Sequence, residues 1–359
     1  MALRTFFFFF FFTLSFCNIN IIISQTLPKF TSILVFGDST VDTGNNNHIL
    51  TIAKGNHPPY GQDYPNHIPT GRFSNGKLVP DILAVLLNLK KNGVPPYMQP
   101  DLPTNELLTG ICFASGGTGY DELTSSISGA IPMRKQLDYF KEYLKKIRVV
   151  VGESEAERIV NGALVIVSAG TNDFIFNFYD LPKRRLQFSL SKYQDFLLDK
   201  LQSFVKELYD LGCRNIIVNG LPPIGCLPIQ MTAKSPLLRT CINKENFDAQ
   251  IYNRKLEYLL LQLQAHLPGS KILYVDGYAF VSDLINNPQA YGFEETKRGC
   301  CGSGLVEAGP LCTRLSPVCS DPSQYIFFDS IHPTESTYYK VTDYLVNQLL
   351  PKFSNIPSP

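Results

Sequence analysis

A three-layer α/β domain with a mainly parallel central sheet is the fold class this sequence predicts, on three observations. Short, almost continuously apolar runs recur at wide intervals. Between them lie long segments with helical periodicity. Each apolar run closes on Gly, Asn or Asp. Runs apolar on every residue suit parallel strands buried on both faces, and strands that alternate with crossover helices build a helix–sheet–helix sandwich.

Taken in order, Ile33–Phe36, Leu164–Ser168, Asn215–Asn219 and Ile272–Val275 have strand length and composition. Leu78 to Leu89 gathers Leu78, Ile82, Leu83, Val85, Leu86 and Leu89 on one broad face. Tyr193 to Leu211 does the same with Phe196, Leu197, Leu201, Phe204, Val205, Leu208 and Leu211, and Phe247 to Leu267 repeats the pattern. Reactive groups in such sheets belong at the carboxyl ends of the strands. Ser39 follows the first run, and Asn172 follows Leu164–Ser168.

Ahead of the first strand, Arg4 followed by Phe6–Phe12, Leu14, Phe16 and Cys17 reads as a secretory leader, with a cleavage point near Ser24 and Gln25. Asn18 and Asn20 interrupt its apolar run, which makes it a poor membrane span. The expected organisation is therefore a signal peptide over residues 1–24 and one domain over 25–359, in a secreted, extracellular protein with no stable membrane span after cleavage. The 32 Lys+Arg balance 31 Asp+Glu, with no long basic block, which argues against a nucleic-acid partner. Of nine cysteines, eight follow the leader, six of them after residue 220. In a secreted chain these favour disulfides over metal ligation, and no recurring Cys-x2-Cys pair has zinc spacing. Cys226 with Cys241 is one candidate bridge. The adjacent Cys300 and Cys301 need different partners, for which Cys312 and Cys319 are candidates. Cys112 reads as a buried free thiol.

The chemistry rests on two segments far apart in sequence. Gly37-Asp38-Ser39 sits at the end of a strand, and Asp329-Ser330-Ile331-His332 is the one Asp-x-x-His of the chain. A serine hydroxyl needs an imidazole to take its proton and a third group to fix that imidazole's tautomer. Taken alone, Gly-Asp-Ser is a turn, and Asp329 with Ser330 caps a helix that starts near Pro333. Taken together, they read as nucleophile, base and orienting carboxylate. The Gly-x-Ser-x-Gly elbow is absent, so the scaffold differs from the usual α/β-hydrolase. Asn172, in Gly170-Thr171-Asn172-Asp173, is a candidate amide donor to an oxyanion, although taken alone the segment reads better as an Asn/Asp turn. Ala114-Ser115-Gly116-Gly117-Thr118-Gly119 lacks dinucleotide-loop spacing and suits close backbone approach to a substrate carbonyl.

These residues also carry a resemblance. Phe36-Gly37-Asp38-Ser39 with Asp42-x-Gly44-Asn45-Asn46-Asn47, Thr70–Gly76, Phe113–Gly117, Gly170–Asp173, Leu221–Cys226, Gly299–Gly302 and Phe328–Pro333 stand in the order and spacing of the secreted GDSL esterase/lipases of plants, a branch of the SGNH hydrolases. The resemblance spans nearly the whole mature sequence. It implies a flavodoxin-like α/β/α sandwich with Ser39 as nucleophile, His332 as base and Asp329 as orienter. It further implies an oxyanion hole from the Ser39 and Gly117 N–H groups and the Asn172 side chain, with Gly116 as the alternative to Gly117. It implies a carboxylic ester hydrolase that needs neither metal nor organic cofactor and acts on a small-molecule or lipid ester. An acyltransferase sharing the acyl-enzyme, and a non-catalytic wall-binding protein on the same fold, are the rival readings. Two departures stand out. Cys112 replaces an Asn, which is expected to loosen the Gly116–Gly117 loop, and Phe328 replaces a Trp. The aromatic segments His57–Tyr60 and Asp173–Tyr179 are candidates for an acyl groove, with ordinary core packing as the alternative.

Overall fold

Five short strands, Ile33–Gly37 (β1), Gly110–Cys112 (β2), Leu164–Ser168 (β3), Asn215–Asn219 (β4) and Lys271–Val275 (β5), form one parallel sheet in the order β2-β1-β3-β4-β5. They belong to a computed structural model that describes residues 27–355. The leader expected over residues 1–24 lies outside the described residues. A smaller parallel pair, Glu295–Gly299 (β6) and Tyr325–Phe327 (β7), stands apart from the main sheet.

Alternation along each strand divides the core into two apolar layers. Leu34, Phe36, Val165, Val167, Ile216 and Val218 face helices Met133–Val151, Leu190–Asp210 and Asn243–His266. Ile33, Val35, Leu164, Ile166 and Ile217 face the other way, onto helices Val79–Leu86 and Glu335–Tyr344. The three-layer α/β/α expectation therefore holds. Four of the five sheet strands coincide with the runs read from sequence, to within one residue at an end. β2 escaped because three residues carry too little pattern to separate from a loop. The helix Met133–Val151 escaped because its apolar face is spaced among many charges, although Leu137, Phe140, Leu144 and Ile147 on it are buried.

The disulfides are Cys226–Cys241, Cys300–Cys319 and Cys301–Cys312, and Cys112 and Cys213 are buried free thiols. This bears out the first bridge and settles how the vicinal pair divides its partners. No helix among the described residues is long and apolar enough to cross a membrane.

Two glycines are dictated by close approach. Gly37 has φ +138°, and a Cβ there would lie 1.9 Å from the Ser168 carbonyl oxygen, so no other residue lets β1 run this tightly past β3. At Gly119 a Cβ would sit 2.1 Å from the Asp173 carboxylate. Beneath the first loops, Arg72 and Asp81 form a buried bidentate pair, with Nε–Oδ2 and Nη2–Oδ1 both at 2.7 Å. Arg72 also donates to the carbonyls of Thr43 and Val94. Arg72→Ala strands the Asp81 carboxylate in the interior and is expected to cost about 3–5 kcal/mol, measured by urea unfolding.

Candidate active site

The chain reverses its direction of winding at β1, and the crevice beside such a switch point is where α/β sheets present ligands. Ser39 lies there, two residues past β1. The turn that carries it is closed by Asp42 N–H donating to the Asp38 carbonyl at 2.9 Å. The Asp38 carboxylate accepts from the backbone and hydroxyl of Thr40, at 3.0 and 2.7 Å. Burial pushes the Asp38 carboxyl up to about 6.

From the other side, β7 delivers Phe328 and Asp329 into the same crevice. His332 Nε2 lies 2.8 Å from Ser39 Oγ, and His332 Nδ1 lies 2.6 Å from Asp329 Oδ2. The carboxylate fixes the proton on Nδ1 and leaves the Nε2 lone pair facing the hydroxyl. Asp329 is wholly buried, and its two oxygens accept four hydrogen bonds. The Ile331 and His332 N–H groups donate to Oδ1 at 2.8 and 2.7 Å. His332 Nδ1 and the Tyr60 hydroxyl, the latter at 2.6 Å, donate to Oδ2. Asp329 therefore caps its own turn and not the following helix. That helix begins at Glu335 behind its N-cap Thr334, which leaves Pro333 outside it and corrects the placement read from sequence.

Tyr60 and Phe73 are partners that sequence reasoning missed. Burial first, and the Asp329 charge second, push the Tyr60 hydroxyl well above the ordinary phenol range, so it remains a donor. Its oxygen in turn accepts the Gly309 N–H at 2.7 Å, from the segment stapled by Cys301–Cys312. The Phe73 ring lies 4.9 Å from the His332 ring and fixes its plane. The loop read as an acyl groove at His57–Tyr60 is thus a prop for the carboxylate. Phe174, Ile175 and Phe178 of the other candidate groove are buried in the core beneath helix Leu190–Asp210, so core packing accounts for that segment.

The glycine loop is anchored from three directions. Gly116 N–H donates to Asp42 Oδ2 at 2.9 Å, and its carbonyl accepts from Asn46 at 2.9 Å. Gly116 N–H is therefore already engaged, whereas the N–H groups of Gly117 and Ser39 have no hydrogen-bond partner among the described residues. Asn172 donates one amide N–H to the Thr118 carbonyl at 2.8 Å, which holds its head beside that loop and leaves its second N–H. Asp173 then clamps the next turn, accepting from the N–H groups of Tyr120 and Asp121 and from the Thr124 hydroxyl. Cys112 does not enter these contacts. Its thiol donates to the Val41 carbonyl, and the loop rests on Asp42 and Asn46, so the loosening expected from the departure at 112 has no route. Phe328 packs edge-on against Tyr60.

The model of the GDSL-like lipase/acylhydrolase family matches residues 33–345, which runs from the first strand through the histidine loop. The chain belongs to the GDSL lipase/acylhydrolase family. It is similar to the GDSL esterase/lipase At2g24560 of Arabidopsis thaliana, 54% identical over 90% of this chain and 89% of that one. It is likewise similar to the GDSL esterase/lipase At1g58430 of the same plant, 54% identical over 88% of both chains. A third, the GDSL esterase/lipase At2g31540, is 52% identical over 92% of each. With this membership, the chemistry of the chain is that of a serine-type carboxylic ester hydrolase.

Tyr60→Phe removes one of four donors to Asp329 and leaves the buried Gly309 N–H unpaired. It is expected to lower stability by about 1–3 kcal/mol and to reduce kcat more than it raises KM, read by urea unfolding and ester kinetics. Burial raises the Asp173 carboxyl to about 7, against the lowering effect of its three donors. A carboxyl raised in the folded state contributes stability that is complete below its unfolded value near 4 and declines as pH rises through about 7. The stability of the wild type relative to Asp173→Asn should therefore fall between pH 4 and 7, measured by thermal unfolding at stepped pH.

Proposed function

We propose that Ser39 is the nucleophile, His332 the general base and acid, and Asp329 the orienting carboxylate of a secreted esterase. The observation that carries this reading is the continuous chain Ser39 Oγ–His332 Nε2–Asp329, with links of 2.8 and 2.6 Å. Ser39 Oγ attacks the ester carbonyl carbon as its proton passes to His332 Nε2, and the imidazolium is held against Asp329. The carbonyl oxygen becomes an oxyanion, held by the Ser39 and Gly117 N–H groups and the second N–H of Asn172. Collapse expels the alcohol, which takes the proton from His332 and leaves the acyl group on Ser39. Water enters, gives its proton to His332, and attacks the acyl-enzyme through a second oxyanion. Ser39 departs with the returned proton, and the acid is released. No residue in this sequence of steps calls for a metal or organic cofactor.

Secretion completes the reading. The apolar leader and three disulfides among the described residues support an oxidising, extracellular destination. Residues 25–359 would then form the mature hydrolase domain.

The test is hydrolysis of a p-nitrophenyl ester series by the purified mature protein beside two variants. Ser39→Ala should lose on the order of 10⁶ in kcat while keeping its circular dichroism spectrum, and retained turnover would overturn the assignment. Asn172→Ala should lose on the order of 10²–10³ in kcat, and a loss below roughly tenfold would remove it from the oxyanion hole.

A further inference from the structure

We propose that a polar groove built entirely from the connection between β1 and β2 binds a neutral oligosaccharide, at a site separate from the reaction centre. None of Ser39, Gly117, Asn172, Asp329 and His332 lines it. The proposal goes beyond the esterase reading and does not depend on it.

The groove lies between the stretches 43–48, 64–72, 88–99 and 102–109, and its volume is about 990 Å³. That stands at the upper end of the roughly 300–1,000 Å³ of ligand clefts. Its walls are tied together before any ligand arrives. Arg72 donates to the carbonyls of Thr43 and Val94. Lys90 Nζ donates to the Glu106 carbonyl and carboxylate at 2.6 and 2.7 Å, and the Tyr64 hydroxyl donates to the Asn92 carbonyl at 2.9 Å. A ligand therefore meets a surface that needs little ordering.

The charges of the wall cancel. Arg72 is paired with Asp81 and Lys90 with Glu106, which leaves the exposed Lys91 and His48. An exposed lysine, screened by water, rewards an anion little. The groups that remain are uncharged. The side-chain carboxamides of Asn88, Asn92, Gln99 and Asn105 line the groove and make no hydrogen bond among the described residues. Each offers both a donor and an acceptor, as does each hydroxyl of a sugar. Deeper in the wall, Thr43 Oγ1 and Asn47 Oδ1 are buried without a partner among the described residues, so the inner wall is polar as well. Tyr64 supplies the apolar contact. Its half-buried ring is held by the Arg72 guanidinium, 4.8 Å from the ring centroid. The C–H face of a pyranose packs on such a ring while the hydroxyls at its edge reach the carboxamides. A hydrocarbon would leave those carboxamides dry and unpaired, and an anion has no donor for their oxygens. Of the three classes, the polyol alone satisfies the whole wall.

The experiment is calorimetric titration of the purified mature protein with cellohexaose, xylohexaose and hexagalacturonate, each at millimolar concentrations. The wild type should bind at least one neutral hexamer saturably and more tightly than the acidic one. Tyr64→Ala should weaken that binding at least roughly tenfold. Tyr64→Phe, which keeps the ring, should retain most of the affinity, and this guards against a loss caused by misfolding. Gln99→Ala and Asn105→Ala, both at exposed positions, should each weaken it about two- to tenfold. Ser39→Ala should bind as the wild type does. Absence of binding to both neutral hexamers would overturn the proposal, as would binding that the groove variants leave unchanged or tighter binding of the acidic hexamer. Loss of binding in Ser39→Ala would put the sugar at the reaction centre and overturn it as well.

Discussion

A carboxylate with no exposure to water is the constraint on which this site depends. Asp329 can stay charged in the interior only if its oxygens are saturated, and they are: two backbone N–H groups, a phenol and the imidazole of His332. Each donor comes with a structural obligation. The backbone donors require the tight Asp329–His332 turn. Tyr60 requires the Pro-rich loop that carries it, and it also engages Gly309. Gly309 lies in a segment closed by Cys301–Cys312 and joined to β6 through Cys300–Cys319. Disulfides that look remote from the site thus hold a donor to the buried Asp329 carboxylate.

The opposite wall follows the same logic with neutral donors. Asp42 gathers the N–H groups of Gly44, Asn45 and Gly116, and Asn46 and Ser115 tie the glycine loop back to the loop after β1. Asn172 and Asp173 hold the far end of that loop through Thr118, Tyr120 and Asp121. The result is a loop whose engaged donors fix its shape while the Gly117 N–H is left without a partner among the described residues. Pre-positioned donors of this kind act on developing charge without reorganising.

Between these walls, the parallel sheet brings the ends of β1, β3 and β4 together, and its polar tips, Thr40, Ser168 and Asn219, hydrogen-bond across strand ends. The buried Arg72–Asp81 pair sits farther back. Its carbonyl contacts brace the loop at Thr43 against the one at Val94.

Sequence alone determined four of the five sheet strands, because runs apolar on every residue encode burial on both faces wherever they fold. It also singled out Ser39, Asp329 and His332, since only one histidine carries an Asp three residues before it and only one serine ends the first strand within Gly-Asp-Ser. The bridge Cys226–Cys241 was among the candidates that the cysteine positions offered. The tertiary structure alone decided what those residues touch. Tyr60 and Phe73 carry no local pattern that points to residues 329 and 332, more than 250 positions away, and that Asp42 holds the Gly116 N–H could not be read from either segment. The aromatic run Asp173–Tyr179 pointed to a groove by composition and packs as core, because composition does not say which face of the sheet a segment covers.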